Sequence, residues 1–316
     1  MEKILVTGGT GLVGNGIQTF LENNNNYSNY EFIFMSRKDC DLTNYNETFN
    51  FINYHKPTCI IHLAADVGGL FKNMYFQTDM FENNLMMNYN ILRASHLNNV
   101  KRVLCCLSTC IFPDNTTYPI NEEMLHDGPP HSSNFGYAYA KRMLDIQCRT
   151  YQTQYNRDYF CVIPTNIYGP NDNFNLHDAH VIPALIHKCF LSKQNGENFI
   201  VSGTGKPLRQ FIYNYDLGKL IIWCLFNYND KNPIILSVSP EQEVSIEYVS
   251  RLIAKKFNYE DKLTFDTTKS DGQYKKTADN TKLMNLLQND FNFTSFEYGL
   301  NNTIEWFIEN YDNCRK

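Results

Sequence analysis

The stretch KILVTGGTGLVG, residues 3–14, decides the fold, because an apolar strand runs into a glycine turn and then into a helix. Such a turn directs backbone N–H groups and the positive end of a helix dipole at a pyrophosphate. Apolar residues at Ile17, Phe20 and Leu21 have the spacing of a helix face. A glycine turn that matches by chance would not be followed by such a helix. The alternative is an ordinary strand-to-helix turn. The stretch predicts dinucleotide contacts from Gly8, Gly9, Thr10, Gly11, Leu12, Val13 and Gly14.

Length and composition limit the classes of protein to which this chain can belong. The 316 residues suffice for two domains, or for one large sheet with an added lobe. No apolar run approaches the ~20 residues that span a bilayer, and the N-terminus leads into a strand, so we expect a cytoplasmic protein without a membrane partner. A net charge of −5 without a basic tract disfavours nucleic acid. Ten cysteines without framework spacing indicate reduced thiols, and we expect no metal site.

Apolar strands alternate with helical patterns along the first half of the chain. We predict strands at 3–7, 31–36, 59–64, 102–108 and 159–163, and helices at 11–21, 44–54 and 78–97. This alternation predicts an α/β fold, a Rossmann-type doubly wound parallel sheet with ligands bound at the carboxyl ends of its strands.

Strong turn signals at Tyr168-Gly169-Pro170 begin less regular chain, where a second lobe is predicted. We expect strands at Phe211-Ile212-Tyr213, returning to the main sheet, and at 233–238, followed by helices at 244–257 and 300–311. We therefore assign 1–166 to a dinucleotide-binding Rossmann domain with a return segment at 210–238. Residues 167–209 and 239–316 form a smaller, discontinuous α/β substrate-binding lobe in this interpretation.

Tyr137 and Lys141 stand four residues apart on a helical pattern. Hydride transfer to a carbonyl develops negative charge on oxygen, so it needs a proton donor close by. Tyrosine can serve, and a lysine one helical turn away favours its ionised form, which lowers its pKa. Ser108, at the end of a neighbouring strand, would hold the same carbonyl by a hydrogen bond. The alternatives are a plain surface helix and a serine that caps a turn.

Cys110 follows Ser108 by two residues, so an extended segment would place both side chains on one face. A thiol near a bound ketone can remove an α-proton, provided that a partner reprotonates the other face. His180 is the candidate partner, because imidazole exchanges protons near neutrality. The alternatives are a small buried apolar cysteine and a surface histidine.

Arg37 and Lys38 end the second strand, where an NAD-selective site usually carries a carboxylate for the ribose. These cations favour the 2′-phosphate of NADP, although basic residues at a strand end are also ordinary surface chemistry. Further cofactor contacts are expected beside the adenine from Asp41 and Leu42, and along the cofactor from the small residues Ala64 and Ala65. Core packing explains the two alanines equally well.

Further motifs cover nearly the whole chain. They are HLAADVGGL (62–70), LSTCIFP (107–113), GYAYAKRMLD (136–145), PTNIYGPNDNFN (164–175), HVIPALIHK (180–188), RQFIY (209–213) and TTKSDGQ (267–273). Together with the glycine run they resemble the extended short-chain dehydrogenases/reductases, and within that family the enzymes that epimerise and then reduce a GDP-linked keto sugar.

The resemblance implies NADPH as the reductant, GDP-4-keto-6-deoxy-D-mannose as the substrate and GDP-L-fucose as the product. Cys110 would be the base and His180 the acid of epimerisation at carbons 3 and 5, and the serine, tyrosine and lysine would serve reduction at carbon 4. It also implies a homodimer that packs helices 78–97 and 137–151 together. Implied cofactor contacts are Gly8 to Gly14, Lys141, Pro164, Thr165, Asn166, Ile167 and His180. Implied substrate contacts are Lys188, Arg209 and Asp271, with Ser202 standing where the family often has tryptophan.

Two other functions share parts of this pattern. Another nucleotide-sugar enzyme of the family, such as a 4-epimerase, 4-reductase or 4,6-dehydratase, would carry the same glycine run and Tyr/Lys pair. Dehydratases resemble one another in placing Asp-Glu after Ser-Thr, whereas this chain reads Ser108-Thr109-Cys110-Ile111. A non-catalytic NADP-binding sensor would not need the serine, tyrosine and lysine together.

Overall fold

A computed structural model describes residues 1–271 and 273–316, so Gly272 of the TTKSDGQ motif lies outside the described residues. The strands are β1 (Glu2–Thr7), β2 (Tyr30–Met35), β3 (Cys59–His62), β4 (Arg102–Cys106), β5 (Asp158–Pro164), β6 (Asn166–Tyr168), β7 (Phe199–Ser202), β8 (Leu208–Arg209), β9 (Phe211–Tyr213), β10 (Ile234–Leu236), β11 (Val244–Ser245) and β12 (Leu263–Asp266).

The helices are α1 (Leu12–Glu22), α2 (Tyr45–His55), α3 (Leu70–Tyr75), α4 (Gln77–Leu97), α5 (Phe135–Tyr155), α6 (Val181–Asn195), α7 (Asn214–Asn227), α8 (Ile246–Lys256), α9 (Thr281–Leu286) and α10 (Phe296–Glu309). Short 3-10 turns lie at Asn25–Tyr27, Thr109–Ile111, Glu122–His126, Ser132–Asn134, Pro240–Gln242 and Glu260–Lys262. Among the described residues, every helix is too short or too polar to serve as a transmembrane span.

The central sheet is parallel throughout, with strand order β10-β5-β4-β3-β1-β2. The chain winds from β1 to one side and then crosses to β3 on the other side, which makes the carboxyl ends of β1 and β3 the switch point of the fold. Ligands of open α/β sheets bind at this point, in the crevice beyond the strand ends. The predicted Rossmann-type doubly wound sheet is confirmed.

Strands β3, β4 and β10 each end two residues earlier than predicted, and β2 ends one residue earlier. Strand β3 ends at His62 instead of residue 64, and β4 ends at Cys106 instead of residue 108. In both cases the chain leaves the sheet where the candidate site residues begin. The long predicted helices are confirmed within a few residues, and α8 begins at Ile246 because the Ser245 hydroxyl accepts a hydrogen bond from the N–H of Tyr248.

The expected return of Phe211–Tyr213 to the main sheet is wrong. This strand, β9, pairs in parallel with β6 in a separate two-stranded sheet. The position beside β5 is taken by β10, from the predicted strand at 233–238. The N–H of Asn166 donates to the carbonyl oxygen of Gln210, which joins the two short strands at the carboxyl end of β5.

Buried side chains form three clusters. Two lie on the faces of the central sheet, one beneath α2, α4 and α5 and the other beneath α1 and α7. The third consists of side chains from 168–211 and 249–307, and it gives the second lobe a core of its own. Leu283 and Phe291, which fall in the segment assigned to that lobe, pack instead with the α1 and α7 cluster.

Helices α1 and α7 cross at glycine. A Cβ built on Gly16 would overlap the carbonyl oxygen of Asn214, and one built on Gly218 would overlap the backbone of Gly16. Backbone cannot withdraw from such a contact as a flexible side chain can, so a side chain at either position must push the helices apart. Because α1 begins at the glycine turn, this crossing also fixes the turn on the sheet.

We therefore predict that Gly16→Ala lowers the free energy of unfolding by about 1–3 kcal/mol through overpacking. Denaturant unfolding measures the change. The matched control is Gly128→Ala, whose new methyl group would meet Pro113 at an ordinary 3.4 Å, with an expected change within about 0.5 kcal/mol. Equal stability of the two variants would contradict the close helix crossing.

Candidate active site

The glycine turn is pressed against the end of β3. Gly8 has a φ of +68°, which favours glycine, and a Cβ there would lie 2.9 Å from the amide nitrogen of Ala64. The Thr7 hydroxyl accepts hydrogen bonds from the N–H groups of Leu63 and Ala64 at 3.2 and 3.1 Å. The ends of β1 and β3 are thus tied together at the switch point, with the half-buried Ala64 and Ala65 on its rim.

Helix α1 presents an open N-terminus at the same place. Gly11 is its N-cap and offers no side chain to bind the first N–H groups, and the first turn holds no acidic residue. The N–H groups of Leu12, Val13 and Gly14 have no partner within the helix. Gly9 packs on Phe34 and donates its N–H to the carbonyl oxygen of Met35, while Thr10 is exposed. This geometry suits a bound pyrophosphate.

The predicted adenine end lies beyond β2. Arg37 is exposed. Just behind it, Asp39 accepts hydrogen bonds from the N–H and hydroxyl of Ser36, and these bonds lower the pKa of that carboxyl. Asp41 binds Thr43 in the same way, and Leu42 is buried. The acidic groups are therefore engaged in local turns, which leaves the Arg37 guanidinium at the surface of this strand end.

At the end of β5, a buried hydroxyl lacks a partner. Pro164 ends the strand, and the Oγ1 atom of Thr165 is buried without a hydrogen bond among the described residues. Asn166 and Ile167 follow in β6, both half-buried. Buried polar groups are usually hydrogen-bonded, so an unpaired hydroxyl at a ligand-binding edge points to a bound molecule or a water.

Ser108 and Cys110 meet through a turn and not through an extended strand, so that premise of the sequence analysis is wrong. Ser108 is the N-cap of the 3-10 turn Thr109–Ile111, and its Oγ accepts a hydrogen bond from the N–H of Cys110 at 3.4 Å. The capping function predicted as the alternative for Ser108 is thus present. The turn still brings the two side chains together, and the Ser108 hydroxyl also hydrogen-bonds the Cys110 thiol.

The pKa of Cys110 reflects opposing effects. Burial raises the pKa of the thiol, whereas the ammonium groups of Lys276 and Lys141 and the hydroxyl of Ser108 lower it. The cysteine is half-buried, so it retains contact with solvent. Burial prevails and the pKa of the thiol lies above its usual value, so the two lysines offset only part of the cost of forming the thiolate that removes a proton.

Helix α5 brings Tyr137 and Lys141 to the end of β4. The buried Lys141 ammonium donates to the carbonyl oxygen of Cys106 at 2.8 Å and lies 5.9 Å from the centre of the Tyr137 ring. Burial, followed by the charges of Cys110 and Cys106, raises the pKa of Tyr137. The expectation of a lowered tyrosine pKa is therefore wrong, because burial and the neighbouring negative charges all raise the pKa of Tyr137. A protonated phenol is the form that donates a proton.

Lys276 was missed by the sequence analysis. Its ammonium and the Cys110 thiol interact electrostatically. Burial lowers the pKa of Lys276, the interaction with Cys110 raises it, and repulsion from Arg209 lowers it again. The neighbouring chain is held in place because Ile120 donates its N–H to the carbonyl oxygen of Thr277 at 2.8 Å. Two successive lysines in a loop resemble ordinary surface charge, so no local pattern indicates this placement.

His180 lies across a loop from the other groups. It is the N-cap residue of α6, its side chain is exposed, and desolvation by the surrounding chain lowers its pKa. Loop 63–69 connects the two sides: Asp66 acts electrostatically on Tyr137, and Gly69 donates its N–H to the carbonyl oxygen of Asp178 at 2.7 Å. The described residues show no hydrogen bond between His180 and the Ser108–Cys110 turn.

The predicted substrate residues lie at the carboxyl ends of β7 and β12. Ser202 is exposed and pairs in register with Asp266, whose charge acts on the half-buried Lys188. Asp271 binds the N–H and hydroxyl of Thr204 with its two oxygens, at 2.6 and 2.7 Å. Asp271 thus holds the Gly-Thr-Gly turn next to Ser202.

Arg209, in the second lobe, interacts electrostatically with a lysine that in turn interacts with the Cys110 thiol. Its guanidinium donates to the carbonyl oxygens of Leu208 and Gln273, both at 2.7 Å. Burial lowers its pKa, and it interacts electrostatically with Lys276, which faces Cys110. A line of positive groups therefore runs from the Cys110 turn toward the second lobe, as binding of an anionic ligand requires.

These features define a dinucleotide-binding α/β protein with a Ser–Tyr–Lys group, and comparisons with known proteins agree. Residues 4–238 match the NAD dependent epimerase/dehydratase family. The chain is 51% identical over 315 residues to a GDP-L-fucose synthase of Dictyostelium discoideum, covering 100% of this chain and 98% of that protein. It is 49% identical over 323 residues to a probable GDP-L-fucose synthase of Drosophila melanogaster, covering 100% of both.

A solved structure is similar over the whole chain. The crystal structure of a GDP-L-fucose synthetase from Naegleria fowleri bound to NADP has a TM-score of 0.93 and 46% sequence identity, covering 100% of this chain and 95% of that one. The chain belongs to the NAD-dependent epimerase/dehydratase family. The resemblance to extended short-chain dehydrogenases/reductases is confirmed.

We predict that Lys276→Met raises the pKa of the Cys110 thiol, because a cation that stabilises the thiolate is lost. The pH midpoint of Cys110 alkylation, followed by mass spectrometry of the peptide that contains it, should move upward. Lys275→Met is the matched control, since that ammonium lies 5.9 Å from the centre of the Tyr118 ring. An unchanged midpoint in Lys276→Met would show that the two groups do not interact.

Proposed function

We propose that this protein converts GDP-4-keto-6-deoxy-D-mannose to GDP-L-fucose with NADPH, by epimerisation at carbons 3 and 5 followed by reduction at carbon 4. The observation that carries the proposal is the meeting of a thiol, Cys110, with the reductase group Ser108, Tyr137 and Lys141 on one strand end. The GDP-L-fucose synthases of Dictyostelium and Drosophila, similar over the full chain, support the same substrate and product.

The residues fit an NADP cofactor. The uncapped start of α1 would hold the pyrophosphate, Arg37 the 2′-phosphate, and the unpaired Thr165 hydroxyl the nicotinamide end. Further proposed contacts are Asp41, Leu42, Ala64, Ala65, Lys141, Pro164, Asn166, Ile167 and His180. When bound, the cofactor supplies hydride to the carbonyl carbon.

In the reduction, Tyr137 donates the proton to the carbonyl oxygen. Its raised pKa keeps the phenol protonated at neutral pH, and the Ser108 hydroxyl would donate a second hydrogen bond to the same oxygen. Lys141 has two roles in the reduction. Its ammonium fixes the end of β4 through Cys106, and its positive charge near the ring stabilises the phenolate that remains.

In the epimerisation, Cys110 removes a proton beside the ketone and His180 returns one to the opposite face. The ketone makes this possible, because its oxygen takes up the negative charge when the neighbouring C–H bond breaks. Ser108 and Tyr137 stabilise that oxygen in both reactions, so a single oxyanion site serves epimerisation and reduction. Burial lowers the pKa of His180 and so disfavours its protonated form, and the exposed side chain would regain its proton from solvent between turnovers.

The diphosphate of the substrate would bind Arg209 and Lys188, which lie on the second lobe. Asp271 supports this site through the Gly-Thr-Gly turn, and Ser202 leaves open the wall where relatives of the resembled group often carry tryptophan. We propose 1–166 with 210–238 as the cofactor domain, and 167–209 with 239–316 as the substrate-binding lobe. The separate core of the second lobe supports this division in outline, while Phe211 packs in that core, and Leu283 and Phe291 pack with the central sheet.

We also propose a homodimer formed through α4 and α5. These helices expose large apolar side chains on one side of the protein, namely Met86, Tyr89, Met143 and Ile146. Exposed apolar surface of this kind is typical of an interface.

All ten cysteines, every one a described residue, are free thiols, which supports a reducing compartment such as the cytoplasm.

Among related activities, dehydration is disfavoured because Thr109 and Cys110 occupy the positions after Ser108 where dehydratases carry acidic residues. A simple 4-reductase or 4-epimerase would not require a thiol whose thiolate is stabilised by two lysines. A non-catalytic sensor would not require the buried Lys141 at the Tyr137 ring, since an unneutralised buried amine is costly.

We predict that purified protein supplied with NADPH and GDP-4-keto-6-deoxy-D-mannose oxidises the NADPH and forms GDP-L-fucose. Chromatography with mass spectrometry and NMR of the sugar identifies the product. A GDP-sugar reduced at carbon 4 but not inverted at carbons 3 and 5 would indicate a 4-reductase instead. Folded protein that binds NADPH but forms no reduced sugar would contradict any reductase function.

The two half-reactions should separate by mutation. We expect Cys110→Ser to slow solvent-deuterium incorporation at carbons 3 and 5 by roughly 10²- to 10⁴-fold, the usual contribution of an acid–base group, while NADPH binding is retained. Tyr137→Phe should have the opposite effect, because it should slow hydride transfer more than deuterium exchange. NMR of the sugar in deuterated water and the loss of NADPH absorbance measure the two rates. Wild-type exchange in Cys110→Ser would exclude the thiol as the base.

A further inference from the structure

Two consecutive cations of helix α5 bracket the turn that carries the thiol. Lys141 donates to the carbonyl oxygen of Cys106 at 2.8 Å, before Ser108 in the chain. Arg142 donates from Nε to the carbonyl oxygen of Ile111 at 2.6 Å, directly after Cys110. Segment 106–111 leaves the sheet after the Leu107 N–H has donated to the carbonyl oxygen of Val162 at 2.8 Å, and its next backbone bonds are local turn bonds. The two side-chain bonds from α5 hold the segment at both of its ends.

Arg142 is buried without a counter-charge. Its side chain is 5% exposed, its Nη2 atom has no hydrogen-bond partner among the described residues, and no carboxylate in this part of the chain forms an ion pair with it. The Tyr139 ring lies 5.6 Å from its guanidinium carbon. Burying a guanidinium in this way is costly, so its retention calls for a compensating interaction.

Two groups whose charged forms would offset this cost interact electrostatically with Arg142, Tyr139 and then Cys110. Burial lowers the pKa of Arg142, and the charges of Tyr139 and Cys110 raise it again. The other charged or titratable groups that face Cys110 are Lys141 and Tyr137 on α5 and Lys276 on the segment after β12. Arg142 differs from the two lysines because it donates a hydrogen bond to the residue directly after Cys110, so it acts on the position of the thiol.

We propose that Arg142 is the positioning residue for epimerisation: it fixes the Cys110 turn through the carbonyl oxygen of Ile111. Lys141 holds the Ser108 end of the same segment and so serves both half-reactions. The inference rests on the proposed function, since it assigns Arg142 to the half-reaction that needs Cys110. Loss of the Arg142 bond leaves Ser108, Tyr137 and Lys141 in place, so it should impair proton exchange selectively.

The test compares Arg142→Met, which keeps an apolar side chain and removes the donors, with Arg142→Lys, which keeps a positive charge and one donor group. Two rates are measured on each variant. The first is solvent-deuterium incorporation at carbons 3 and 5 of GDP-4-keto-6-deoxy-D-mannose without NADPH. The second is reverse hydride transfer from GDP-L-fucose to NADP⁺, which breaks the C–H bond at carbon 4 and needs no thiol. Arg251→Met, an exposed helix arginine paired with Glu247, is the matched control.

We expect Arg142→Met to slow exchange by about 10- to 100-fold, the effect of a small displacement of a reacting group, with reverse hydride transfer within about threefold of wild type. Arg142→Lys should recover most of the exchange, and Arg251→Met should match wild type. Thermal unfolding and NADPH binding are measured alongside.

Three outcomes would overturn the proposal: wild-type exchange in Arg142→Met, equal losses in both rates, or no recovery with lysine. If Arg142→Met does not fold, Arg142→Gln replaces it and the same comparison applies. Wild-type protein that shows neither exchange nor reverse hydride transfer would instead contradict the proposed function itself.

Discussion

The hydrogen bond from the Lys141 ammonium to the carbonyl oxygen of Cys106 is the interaction on which the proposed site depends. It joins the helix that carries Tyr137 to the strand that leads to Ser108 and Cys110, at the carboxyl edge of the parallel sheet. The lysine is buried, so the bond operates where competing water is scarce and an amine left unpaired would be costly. The Arg142 bond to Ile111 and the packing of α5 on the sheet join the same two elements, but the Lys141 bond is the one that holds a positive charge beside the Tyr137 ring.

Burial determines the protonation states around this bond. It raises the pKa of Tyr137 and of Cys110 and lowers that of Lys141, which disfavours the charged form of each group. At Cys110, the ammonium groups of Lys276 and Lys141 oppose the effect of burial, because they lower the pKa of the thiol. The outcome is a neutral proton donor beside a base that is shielded but can still ionise, which is the combination that a shared ketone requires in the two proposed steps.

The sequence predicted what depends on local pattern and missed what depends on tertiary contact. The glycine turn and the Tyr137–Lys141 spacing specify backbone geometry within a few residues, and the fold confirmed both. The route by which Cys110 meets Ser108 was wrong, because a strand period was assumed where Ser108 caps a turn. Lys276 lies more than 160 residues from that turn, so no periodicity relates them. The raised pKa of Tyr137 likewise comes from burial that only the folded chain reveals.

The central claim is that Cys110, His180 and the Ser108–Tyr137 pair surround one sugar ring. A crystal structure of the protein with NADP⁺ and GDP-L-fucose tests it most directly. We expect the oxygen on carbon 4 to bind the Ser108 and Tyr137 hydroxyls, with the Cys110 sulfur and the His180 imidazole on opposite faces of the ring. A sugar ring that contacts Tyr137 while the Cys110 sulfur points into the core, away from carbons 3 and 5, would contradict the account.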